Sequence, residues 1–127
     1  MKKKILVIED DNISRRKIGE MFSEDYEVEY SKNGSEGLSK ITHNKYDLII
    51  TDQHMPVMNG IEMLELHMEK ILDEESTPII MYTTECDPYF KKRGSGAGVD
   101  YWVIKPLNIL NFYKLVTGIL DKQEVLY

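Results

Sequence analysis

The sequence holds one cysteine, Cys86, among 127 residues. A lone thiol closes no internal disulfide, so a disulfide-held scaffold is excluded and a reducing compartment is expected. Long apolar runs are missing as well. None approaches the roughly 18 residues that span a bilayer. Lys2, Lys3 and Lys4 have the charge of a secretory leader's start, but only Ile5, Leu6, Val7 and Ile8 follow before Glu9 and Asp10. That apolar segment is too short for a signal, and a cytoplasmic protein without membrane association is expected. Positive charge is in deficit too: 16 Lys and Arg stand against 22 Asp and Glu, a formal net charge of −6. This balance argues against direct binding to nucleic acid, whose phosphates dominate affinity. No linker, repeat or low-complexity segment interrupts the chain.

What is present describes one folded domain. The length is that of a single core, and 42% hydrophobic with 30% charged residues is an ordinary globular composition. The expectation is one domain over residues 1–127, with a core at about 3–121 and a short C-terminal tail. Short apolar runs stand at 5–8, 28–30, 48–50, 79–82 and 102–104. All but the second are continuous and rich in β-branched or aromatic residues, as strands buried on both faces of a parallel sheet are. The second has Glu27 beside it and Glu29 inside it, and reads as an edge strand.

Helical patterns lie between the runs. Asn12, Ser35, Asn59-Gly60, Asp87-Pro88 and Asn108 are the expected helix starts. Ile61, Leu64, Met68, Ile71 and Leu72 form one apolar stripe; Ile109, Phe112, Val116, Ile119 and Leu120 form another. Gly94, Ser95 and Gly96 sit in the fourth helical pattern, where each glycine costs about 1 kcal/mol relative to alanine, so a short or mobile fourth helix is expected. Lys91, Lys92 and Arg93 read as a solvated basic face. The methionines read as core filler, and Cys86 as an incidental small side chain. His43, His54 and His67 lack the spacing of zinc ligands. Strands alternating with helices imply an α/β fold with right-handed crossovers and a parallel sheet covered on both faces.

In such sheets ligands sit beyond the carboxyl ends of the strands. There the sequence puts Glu9 and Asp10, then Asp52, Thr83 and Lys105. Three carboxylates in a small volume require counter-charge. A hard divalent cation answers that need, and Mg²⁺ bound by oxygen ligands leaves room for a phosphoryl oxygen. Lys105 adds a point positive charge and Thr83 a hydroxyl. The set suits phosphoryl transfer onto a carboxylate, a chemistry that asks mainly for positioning and charge neutralisation.

These residues stand in ordered segments. The first runs Ile5-Leu6-Val7-Ile8-Glu9-Asp10-Asp11 and the next Tyr46-Asp47-Leu48-Ile49-Ile50-Thr51-Asp52. Met55-Pro56, Gly60, Pro78-Ile79-Ile80-Met81-Tyr82-Thr83, Gly98 and Lys105-Pro106 follow. Together they resemble the receiver domain of two-component response regulators, of the CheY-like single-domain type, over residues 3 to 121. The resemblance implies a flavodoxin-like, doubly wound, five-stranded parallel sheet of order 2-1-3-4-5 with five helices. It implies that Asp52 is the phosphoacceptor, that Asp10 binds the metal directly and Glu9 through water, and that the His54 backbone carbonyl is a further ligand. Thr83 and Lys105 become the switch hydroxyl and the phosphate-binding lysine, and the Lys105-Pro106 bond is implied to be cis. The implied cofactor is Mg²⁺, with Mn²⁺ as a substitute. The implied donor is a sensor histidine kinase or a histidine phosphotransfer protein. The implied output is a protein-binding surface of helix 4, strand 5 and helix 5, on a monomer or a phosphorylation-dependent dimer.

The sequence departs from the family pattern at Trp102, where a tyrosine or phenylalanine is usual. The indole either turns inward with Thr83 or stays outside on a docking face, and the second is expected. His54 and Glu85 border the phosphoryl position and are expected to affect its lifetime, by hindering water or by orienting it. Two other classes are open to such residues. One is a haloacid-dehalogenase-like phosphatase, which needs a second Asp where this chain has His54. The other is a receiver that binds partners without phosphorylation. The expected class is a signalling phosphoacceptor with self-catalysed transfer and autodephosphorylation, not an enzyme acting on a separate substrate.

Overall fold

The computed structural model describes residues 2–70 and 76–121. Ile71 and Leu72 of the expected third-helix stripe, and the tail at 122–127, lie outside the described residues. The chain alternates β1 (Lys4–Ile8), α1 (Asn12–Phe22), β2 (Glu27–Ser31), α2 (Gly34–His43), β3 (Leu48–Thr51), α3 (Gly60–Lys70), β4 (Ile79–Thr83), α4 (Pro88–Gly96), β5 (Tyr101–Ile104) and α5 (Ile109–Asp121). The strands form one sheet in the order β2-β1-β3-β4-β5, and every neighbouring pair is parallel.

The alternation of side chains along a strand explains the continuous apolar runs. Ile5 and Val7 of β1, Leu48 and Ile50 of β3, and Ile80 and Tyr82 of β4 face one way and pack with Ile18 and Phe22 of α1 and Phe112, Val116 and Leu120 of α5. Leu6 and Ile8, Ile49, and Ile79 and Met81 face the other way, against Ile41 of α2 and Ile61, Met63 and Leu64 of α3. The runs 5–8, 48–50 and 79–82 of the three central strands are therefore apolar at every position because both faces of those strands are covered.

The run at 102–104 is less buried than its apolar pattern suggests, and it lies at the edge that the implied strand order gives it. β5 is the second edge of the sheet, with Tyr101 and Ile104 exposed and Trp102 and Val103 half-buried. An edge strand has one neighbour to cover it, and a three-residue apolar run carries no mark of which strand is last. β2 is an edge, as its glutamates suggest.

Two helix starts also shift by one or two residues. Asp11, not Asn12, caps α1, its Oδ2 accepting from Ser14 N at 2.8 Å. Asn33, not Ser35, caps α2, its Oδ1 accepting from Glu36 N at 2.9 Å. In each case both residues, one or two positions apart, are good caps, and the one left in an extended conformation by the preceding turn takes the role. Asn59, Asp87 and Asn108 cap α3, α4 and α5 as expected, each accepting a first-turn N–H at 2.9 Å.

The fourth helix is the shortest of the five, at nine residues, but it is unbroken through Gly96, where Ala97 N closes it onto Arg93 O and Gly94 O. Gly94 has a packing reason: a Cβ there would lie 2.8 Å from Cζ3 of Trp102. The helix gives up propensity at Gly94 so that α4 can lie against the indole of β5.

Candidate functional site

The sheet brings the ends of four strands to one rim, and ladder hydrogen bonds continue past them. Glu9 N donates to Ser31 O, Asp52 N to Ile8 O, and Lys105 N to Thr83 O, at 3.0, 3.0 and 2.9 Å. These bonds fix the backbone from which each functional side chain projects. The Lys105-Pro106 bond is cis, as the family resemblance implies.

Glu9 and Asp52 are buried and Asp10 is exposed, and one carboxylate oxygen from each lies within 4.8 Å of the others. Lys105 Nζ reaches down between two of them, 2.8 Å from Asp52 Oδ2 and 2.9 Å from Glu9 Oε1. It also stands 4.4 Å over the ring of Tyr82, which adds a cation–π contact. Asp52 Oδ1 is held by two backbone donors, Gln53 N at 2.6 Å and His54 N at 3.2 Å. Burial pushes Glu9 up to about 7, against the pull of the Lys105 ammonium. Burial works to lower Lys105, but its hydrogen bonds to Asp52 and Glu9 outweigh that and hold it above its ordinary value. The lysine is thus the counter-charge of the two buried carboxylates, and an all-oxygen donor set of this charge fits a hard divalent cation.

Thr83 is fully buried at the end of β4, its Oγ1 accepting from Glu85 N at 3.2 Å. His54 Nε2 pairs with Glu85 Oε1 at 3.2 Å, so the two residues expected to border a phosphoryl group touch one another across the loops after β3 and β4. Trp102 does not stand free on an outer face. It is half-buried over Gly94, and its Nε1 donates to Glu85 O at 2.8 Å, the partner a buried indole requires.

One further residue went unmarked in the sequence. Gln53, the neighbour of Asp52, is buried at 2% exposure. Its Oε1 accepts from Ile61 N at 2.8 Å and its carbonyl from Gly60 N at 3.0 Å, so it ties the loop that holds Asp52 to the start of α3. Only a polar side chain beside an apolar strand hinted at this. The same close approach explains Gly60, where a Cβ would lie 2.4 Å from Asp52 O. Backbone cannot yield as a side chain can, so Gly60→Ala is expected to cost about 1–3 kcal/mol of stability. Urea unfolding should show the midpoint falling at constant slope; an unchanged midpoint would contradict the tight contact.

The comparisons with known proteins agree with this geometry. The response regulator receiver domain family matches residues 5–117. Response regulator ArlR of Staphylococcus aureus (strain Mu50) is 37% identical over 120 residues, which cover 94% of this chain and 53% of that protein. The Staphylococcus haemolyticus protein of the same name is 35% identical with the same coverage. The chain thus spans about half the length of the curated relatives it matches. Among solved structures, the chemotaxis protein CheY4 of Vibrio cholerae aligns with a TM-score of 0.81 at 31% identity, covering 94% of this chain and 100% of that one. A CheY-like receiver domain protein from Methanospirillum hungatei aligns at 0.87 with 29% identity and 98% coverage of both chains.

Proposed function

This chain belongs to the response regulator receiver domain family of two-component signalling proteins, and on that premise we propose that Asp52 accepts a phosphoryl group from the phosphohistidine of a sensor kinase or a histidine phosphotransfer protein. The observation that carries the proposal is the approach of Lys105 to Asp52 and Glu9 at 2.8 and 2.9 Å. A buried carboxylate held between a fixed cation and two backbone N–H groups is oriented before the donor arrives. In the transfer a carboxylate oxygen of Asp52 forms the O–P bond as the donor's N–P bond breaks. Lys105 and Thr83 then take phosphoryl oxygens, the lysine exchanging its carboxylate partners for the new anion. Mg²⁺, or Mn²⁺ in its place, supplies neutralising charge at the phosphoryl oxygens when bound. Asp10, Asp52 and the His54 carbonyl would hold it, with Glu9 acting through water. Family membership does not favour the phosphatase or the phosphorylation-independent binding module.

Self-catalysed transfer and autodephosphorylation belong to the same proposal, with His54 and Glu85 standing where water must approach Asp52. The phosphoryl group would shift an existing equilibrium of the α4–β5–α5 face toward a form that binds another protein. The tail at 122–127 and whatever chain accompanies this domain bear on that output. Two measurements test the reading. Incubation with acetyl phosphate and Mg²⁺, followed by intact mass, should show the gain of one phosphoryl group, and a chelator should remove the gain. No gain with Mg²⁺, nor with a phosphorylated kinase, would sink the proposal. Trp102 is the sole tryptophan, and its indole is bonded to the loop after Thr83. Its emission should therefore change on phosphorylation, and identical spectra would remove it from the switch.

A further inference from the structure

The acids of β1 are carried by a very short connection. Only Glu9, Asp10 and Asp11 lie between the end of β1 and the start of α1. The Asp10 carboxylate is exposed, so its direction depends on where this backbone is held. Asp11 is committed elsewhere, capping α1 through Ser14 N. The brace for the other two comes from one helical turn onward. Arg15 Nη1 donates to Glu9 O at 2.7 Å and reaches Asp10 O at 3.4 Å, while Nη2 donates to Asn12 Oδ1. Its own N–H bonds back to Asp11 O at 2.9 Å. A planar, rigid fork with several donors can span adjacent carbonyls, whereas an ammonium is a point charge.

From this clamp we infer that Arg15 is a positioning residue for the metal-binding acids: it fixes the β1–α1 backbone so that Glu9 and Asp10 converge with Asp52. The inference rests on the reading of these acids as a divalent-cation site. The signs of the two things Arg15 does are opposite. Its charge repels an incoming dication, so a role through the field alone predicts tighter metal binding when it is removed. Its clamp aims the ligands, so a positioning role predicts weaker binding. Groups that orient metal ligands typically contribute about 10–100-fold in affinity.

The test is calorimetric titration of Mg²⁺ into the full chain, with thermal unfolding recorded for every variant. Arg15→Met is expected to bind Mg²⁺ about tenfold more weakly than the wild type. Arg15→Lys, which keeps the charge and loses the fork, should also remain weaker, and it decides between the two roles if Arg15→Met does not fold. Arg16→Met removes the same charge from the exposed next position and should bind as the wild type or more tightly. Amide resonances of Asp10 and Asp11 should shift in Arg15→Lys before any metal is added. Affinity that is unchanged or tighter in Arg15→Met, or fully restored in Arg15→Lys, overturns the positioning role while the metal site stands. A wild-type chain that does not bind Mg²⁺ overturns the metal reading, and the inference with it.

Discussion

Asp52→Asn is expected to abolish covalent phosphorylation while leaving the fold intact. The substitution is nearly isosteric, and Asn Oδ1 can still accept the Gln53 and His54 N–H groups that hold Asp52. What is lost is the carboxylate nucleophile, for which an amide is no substitute. The variant should show no mass gain with acetyl phosphate and Mg²⁺, under conditions where the wild type gains one phosphoryl group. Its unfolding midpoint should not fall, because the change removes one of two carboxylates competing for a single lysine. A phosphorylated Asp52→Asn protein would place the acceptor elsewhere, with Asp10 the first residue to examine. A variant that unfolds would mean that the Oδ2 bond from Lys105, which an amide nitrogen cannot accept, contributes more stability than the relief of carboxylate crowding returns.

Lys105→Met is expected to have the next largest effect, on both stability and transfer. The methionine occupies similar space, so the lost quantity is the charge, with its bonds to the two carboxylates and its cation–π contact with Tyr82. Glu9 and Asp52 side chains are only 2% and 8% exposed, and Lys105 Nζ is the cation bonded to both. Removing one member of a buried ionic group typically costs about 3–5 kcal/mol. The lower end applies here because Lys105 keeps 20% exposure and Glu9 can respond by taking up a proton. Transfer should fall by about 10²–10³-fold, the usual consequence of deleting one preorganised charge at a developing anion.

The stability loss has a pH signature whose direction follows from Glu9. Its pKa in the folded chain is about 7, above its ordinary 4.5. Between those values the folded state holds a proton that the unfolded state has released, so Glu9 makes stability fall as pH rises through that window. Lysine pulls this carboxyl down, so without Lys105 the folded value rises further and the window extends upward. The variant's deficit should therefore be largest at neutral and alkaline pH and shrink toward pH 5. Mg²⁺ should recover part of it, by supplying the missing positive charge. Denaturant titrations at pH 5 and pH 8, each with and without Mg²⁺, check this. A deficit that grew on acidification would mean that Lys105 does not serve as the partner of these carboxylates.

Much of this architecture is readable before folding because it depends on near neighbours. The runs at 5–8, 48–50 and 79–82 are apolar throughout since both faces of a central strand are covered. Asn59, Asp87 and Asn108 announce helices through bonds within one turn. The rim residues Glu9, Asp10, Asp52, Thr83 and Lys105 follow once strands are recognised, since each stands just past or at the end of one. The misses have a common cause. Asp11 and Asn33 displaced Asn12 and Ser35 as caps because the turn geometry chose between good candidates one or two positions apart. β5 is less covered than its apolar run suggests, because the run does not show the strand order that the family resemblance implies, and that order is a property of the whole sheet. α4 continued through its glycines because Gly94 gains a contact with Trp102 that lies eight residues away in sequence.

By itself, then, the sequence determined which segments are strands and helices, that the sheet is covered on two faces, and which charged and hydroxyl groups stand at strand ends. Those properties come from hydrophobic period and backbone hydrogen bonding, which act locally. Only the tertiary structure decided the partners. It bonded Lys105 to both Glu9 and Asp52, joined His54 to Glu85, gave the Trp102 indole the Glu85 carbonyl, set Gln53 under α3 and laid Arg15 across the carbonyls that carry the acids. Each of these contacts joins groups whose distance is set by packing and by the length of a turn, and a linear order of residues carries no record of either.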